Sequence, residues 1–116
     1  MQILDERHGD VRIVTIDDHL DTTSAPLLER ALDELIDKGD RQILIDCGPL
    51  RYVNSAGLKT LLLVAKRLES SGGELVLCAL APNVQMVFGM IGFDRIMKIA
   101  PSREEALRLF TGPLPS

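Results

Sequence analysis

Apolar positions along this chain alternate between short continuous runs and longer stripes of helical spacing. Val11 to Ile16 is β-branched, and Gln2 to Glu6 precedes it across the turn signal His8-Gly9-Asp10. Together they predict a hairpin. Asp17-Asp18-His19 reads as a polar exit from that hairpin, with Leu20 packing back onto the core. Gln42-Ile43-Leu44-Ile45 and Glu74 to Ala79 lack alternation, as expected of strands covered on both faces. Arg95 to Ile99 predicts a last edge strand.

Between these runs the period lengthens to that of a helix. Asp21-Thr22-Thr23-Ser24-Ala25-Pro26 is a helix start, small capping residues followed by Pro in the first turn, and Gly39 ends the element after Lys38. Leu28, Ala31, Leu32, Leu35 and Ile36 form its apolar stripe, with Arg30, Glu34 and Lys38 opposite at i,i+4 spacing. Leu58, Leu61, Leu62, Ala65 and Leu68 predict the core stripe of a second helix, closed by Ser70-Ser71-Gly72-Gly73. Lys59, Leu63, Lys66 and Arg67 fall on its other faces.

Pro82 opens a third helix carrying Val84, Val87, Phe88 and Ile91, shortened by Gly89 and Gly92. Met86, Met90 and Phe93 exceed one stripe and are expected to fill core. Ser102 and Glu105 match a capping box before a final helix from Ala106 to Phe110, and Gly112-Pro113 marks a frayed tail over 111–116. The fold class expected is α/β, one domain over residues 1–116. Its sheet is mixed, of about four to five strands, with about four helices packed mainly on one face.

Composition narrows the function. With 46% hydrophobic residues but only 3% aromatics, the core must be built from Leu, Ile and Val. A formal net charge of −4, with scattered cations, argues against direct nucleic-acid binding. No apolar run reaches the ~20 residues that span a bilayer, so membrane insertion is not expected. Met1-Gln2-Ile3-Leu4-Asp5-Glu6 lacks the pattern of a signal peptide, and a cytoplasmic protein is expected. Cys47 and Cys78 end apolar runs without a CxxC, which points to buried free thiols rather than a metal site. No cofactor is implied.

The candidate site is Tyr52-Val53-Asn54-Ser55-Ala56-Gly57-Leu58, between the turn Gly48-Pro49 and the second helix. From residue type alone, Asn54 or Ser55 caps the free N–H groups of that helix. The same position tolerates an anion, including a phosphate on Ser55.

Three stretches carry a resemblance that spans roughly the whole chain. Leu20-Asp21-Thr22-Thr23-Ser24-Ala25-Pro26, Asn54-Ser55-Ala56-Gly57-Leu58, and Gly72-Gly73-Glu74-Leu75-Val76-Leu77-Cys78 with Pro82 resemble segments of the STAS family, specifically bacterial anti-sigma factor antagonists. In that family an anti-sigma factor with serine kinase activity phosphorylates the loop serine. Only the unphosphorylated antagonist binds it and releases the sigma factor, and a serine phosphatase restores that form. The resemblance gives Ser55 the phosphoserine role. It places partner binding on Asp21, Thr22, Thr23 and Ser24 in the first loop, and on Asn54, Ser55, Ala56 and Gly57 in the second. From the residues alone, Leu63 among basic residues, with Lys59, is a candidate extension of that surface, although single exposed leucines are common. Asn54 stands where the family has Asp, which keeps a cap but removes a charge. Ala56 leaves Ser55 as the hydroxyl of this loop.

Other classes fit less well. A nucleophile elbow needs Gly two residues before the serine, where this chain has Val53, and neither His8 nor His19 is placed as its base. No enzyme is expected, and no Gly-rich phosphate loop with Lys is present. The alternative is a STAS subunit without a switch, serving a membrane transporter or a signalling scaffold.

Overall fold

The apolar runs become adjacent strands of one sheet. The computed structural model describes residues 1–110, and among them the strands are β1 (Ile3–His8), β2 (Val11–Ile16), β3 (Asp18–Leu20), β4 (Gln42–Asp46), β5 (Leu50–Val53), β6 (Glu74–Cys78) and β7 (Lys98–Ala100). The helices are α1 (Ala25–Asp37), α2 (Ser55–Ser70), α3 (Pro82–Met90) and α4 (Arg103–Arg108). Five strands form a mixed sheet in the order β1-β2-β4-β6-β7. β1 and β2 pair antiparallel as the expected hairpin, and the remaining pairs are parallel.

Ile43, Leu44 and Ile45 of the central strand β4 are fully buried, because both faces of the sheet are covered. Val14, Ile16, Ile43, Ile45, Leu75 and Leu77 meet α1, α2 and α3. On the other face, Val11, Ile13, Leu44, Val76 and Cys78 pack with Ala106 of α4. Helices therefore lie mainly on one face, as the pattern implied. Arg103 fixes α4 by donating to Asp46 Oδ2 at 2.9 Å and to Glu6 Oε1 at 2.6 Å.

Several expectations are corrected. Asp18-His19-Leu20 is not merely an exit: β3 pairs in parallel with β5, which the sequence left inside a loop. In α2, Leu62 and Ala65 are only half-buried, and the inner face instead holds Gly57, Leu58, Thr60, Leu61, Val64 and Leu68. The Arg30, Glu34 and Lys38 face of α1 is exposed, as a solvated surface should be, and what the sequence did not show is that Asp33 and Asp37 both bind Arg67 of α2 at 2.6 Å. Met86 and Met90 are 65% and 78% exposed, because Val84 and Phe88 already supply the buried face of α3, and Ile91 is exposed as well. Phe93–Arg95 is a single 3₁₀ turn, and the edge strand begins later, at Lys98. The last helix starts at Arg103 rather than Ala106, directly after its Ser102 cap, whose Oγ accepts the Glu105 N–H at 3.2 Å. The expected frayed tail lies outside the described residues.

Candidate functional site

The β3–β5 ribbon brings the two sequence-distant loops together. Its register places His19 opposite Tyr52 and Leu20 opposite Val53, so Asp21 and Asn54 leave the ribbon at the same end. The Asn54 N–H donates to Leu20 O at 3.1 Å, and the Asp18 N–H donates to Pro49 O at the same distance. Asp18 takes a φ of 62°, a left-handed conformation that Asp tolerates better than most residues, where the ribbon register shifts.

Gly57 lets the two segments approach this closely. A Cβ there would lie 2.6 Å from Leu20 Cγ and 2.7 Å from Leu20 O. The helix start is then set by Asn54, whose Oδ1 accepts the N–H groups of Ala56 at 3.0 Å and Gly57 at 3.3 Å. Of the two capping candidates, Asn54 does the capping. Ser55 becomes the first residue of α2, exposed, with its hydroxyl in no hydrogen bond among the described residues.

The first loop is held from inside. Asp21 Oδ1 accepts the N–H groups of Thr23 at 3.0 Å and Ser24 at 3.2 Å. The Ser24 backbone bond is the main reason the Asp21 carboxyl lies below its usual value of 3.8, with the Thr23 bond adding to it. Ser24 is buried; its Oγ accepts the Asp21 N–H at 2.9 Å and donates to His19 O at 2.7 Å. Ser24 and Gly57 thus shape the loops, whereas Thr22, Thr23, Ser55, Lys59 and Leu63 are exposed and Asp21, Asn54 and Ala56 half-buried.

The sequence placed Tyr52 in the candidate stretch but gave no sign that His19 stands beside it. His19 and Tyr52 meet edge to face with ring centroids 5.5 Å apart, and Tyr52 is 47% exposed. Their neighbourhood depends on strand pairing across a whole helix and strand, for which local sequence offers no period: Leu50 and Val53, the buried residues of β5, stand three apart. Asn83 of α3 supports the same strand by donating from Nδ2 to Arg51 O at 2.8 Å.

Cys47 and Cys78 are free and buried. Burial is the main cause pushing the Cys78 thiol up to about 11, with Asp46 acting in the same direction, and the Cys47 thiol rises further. Neither is poised as a nucleophile. Among the described residues no group of three or more His, Cys, Asp or Glu side chains gathers to hold a metal, and no helix is long and apolar enough to cross a membrane.

An α/β layer with two loops gathered around the start of its second helix defines a class. The chain belongs to the STAS domain family, whose model matches residues 2–106. Within it, the chain is 46% identical over 96 residues to a Bordetella bronchiseptica protein provisionally named anti-sigma factor antagonist BtrV, covering 83% of each chain. It is 30% identical over 108 residues to the anti-sigma F factor antagonist of Paenibacillus polymyxa, covering 92% of each. The crystal structure of an anti-sigma factor antagonist from Mycobacterium paratuberculosis matches with a TM-score of 0.84 at 25% identity, over 92% of this chain and 91% of that one.

Proposed function

We propose that this protein is an anti-sigma factor antagonist whose affinity for an anti-sigma factor is switched by phosphorylation of Ser55. The observation that carries this reading is the division of labour at the start of α2. Asn54 caps the helix, which leaves the exposed Ser55 hydroxyl free for chemistry. The named relatives support the partner class, and that class implies a serine kinase activity in the anti-sigma factor and a phosphatase to reverse it.

The switch follows from charge. A phosphate adds about −1.5 to −2 charges near pH 7. It would stand at the end of the ribbon where Asp21, itself held ionised, also emerges. The helix N-terminus tolerates the anion, so the fold survives. A partner surface complementary to a neutral hydroxyl would instead bury an unpaired charge, at a cost of several kcal/mol. That suffices to dissolve a complex of about micromolar affinity, worth about 8 kcal/mol in total.

The test uses Ser55→Ala and Ser55→Asp as paired baits in native lysate, followed by incubation of the captured protein with ATP. The Ala bait is expected to retain a histidine-kinase-like ATPase that the Asp bait loses, and that ATPase should phosphorylate the wild-type chain but not Ser55→Ala. The same transporter or scaffold subunit on both baits would overturn the switch.

A further inference from the structure

Resting on the phosphorylation of Ser55 set out above, we propose that Lys59 is the intramolecular counter-ion of the phosphorylated residue. Phosphorylation then removes a cation from the α2 surface as well as adding an anion.

Ser55 and Lys59 are both exposed and stand one turn apart on α2. Such i,i+4 neighbours have Cβ atoms about 5–6 Å apart, and an anion N-terminal to a lysine is the favourable order. Side chains on a helix lean toward its N-terminus, so the Lys59 stem runs back toward Ser55. Lys59 enters no ion pair among the described residues. Arg67, further along the same helix, is by contrast held by Asp33 and Asp37.

The local donors explain why a lysine is needed. At many helix starts a phosphate would take the first N–H groups. Here Asn54 Oδ1 already accepts those of Ala56 and Gly57. The charged groups on the elements that meet at Ser55 are Asp18, His19 and Asp21 on β3 and its loop, Arg51 on β5, and Lys59, Lys66, Arg67 and Glu69 on α2, the last three at least three turns along the helix. His19 lies 3.7 Å from Asp18 and against Tyr52, while Asp21 repels a phosphate. Of the remaining cations, Lys59 is the one a single helical turn from Ser55, whereas Arg51 lies on β5, before the Asn54 cap. The unphosphorylated surface offers a neutral hydroxyl beside a free ammonium, which suits a partner with an acidic side chain facing Lys59.

Phosphoserine installed at position 55 by genetic encoding tests this without any kinase. Its titration would be followed by ³¹P NMR in the otherwise wild-type chain, in Lys59→Gln, and in Lys66→Gln, whose exposed lysine lies three turns from Ser55. The phosphate pKa is expected about 0.2–0.4 unit higher in Lys59→Gln, with Lys66→Gln matching wild type. Near 1 M salt the difference should collapse. Identical titrations in wild type and Lys59→Gln would overturn the proposal, and so would an equal shift in Lys66→Gln. Because no partner enters the measurement, it can fail while the paired-bait result stands, and the reverse.

Discussion

Replacing Gly57 with Ala is expected to destabilise the fold at the point where the two loops meet. The added methyl would sit 2.6 Å from Leu20 Cγ and 2.7 Å from Leu20 O. A rotamer change relieves the first overlap, but not the second, because that oxygen is backbone and also accepts the Asn54 N–H. The start of α2 must therefore move off β3. Overpacking of this kind costs about 1–3 kcal/mol, and the strained hydrogen bond adds about 1 kcal/mol. Against this stands a gain of up to about 1 kcal/mol for Ala over Gly in a helix. The net loss is about 1–3 kcal/mol, which at a urea dependence of about 1–3 kcal/mol per molar lowers the unfolding midpoint by roughly 1 M. Urea denaturation followed by far-ultraviolet circular dichroism measures it. A Gly57→Ala protein as stable as wild type would refute close approach as the reason for glycine here.

Asn54→Ala forfeits both capping bonds at the start of α2 and should cost about 1–2 kcal/mol in thermal unfolding, whereas Asn54→Asp, which keeps the acceptor, should not. Asp21→Asn should be less stable than wild type at neutral pH. The folded carboxyl titrates below its ordinary 3.8, so its contribution is present above that value and is lost as pH falls through the depressed one. Unfolding curves of the two proteins should therefore converge on acidification, and a constant gap across that range would show that charge is not the cause.

Elements with a clear local signature were legible from the residues: the hairpin from its β-branched run and turn, α1 from its helical period, and the doubly covered β4 and β6 from their unbroken apolar runs. What escaped was decided by distant contacts. β3 and β5 span Asp18–Leu20 and Leu50–Val53, too short to show a period, and each exists because the other pairs with it. The inner face of α2 was misjudged because leucines outweighed small residues, while Gly57 and Thr60 turn inward where the helix meets its neighbours. Met86 and Met90 look like core by type, but Val84 and Phe88 leave them outside. At the candidate site the position of Ser55 was readable, whereas the choice between Asn54 and Ser55 as cap required geometry.

The β3–β5 ribbon also bears on when the site exists during folding. Its partners are separated in sequence by α1 and β4, and parallel pairing over such a span carries a loop-closure cost that must be met before its contacts return anything. Neither the Asp21 loop nor the Ser55 loop can settle alone, because Leu20 O and the Asn54 N–H complete each other. A partner that reads both loops at once thus meets them only on finished molecules. On the function proposed above, nascent or partly unfolded chains would be silent to such a partner, and the signal would track the folded population rather than the amount of polypeptide made.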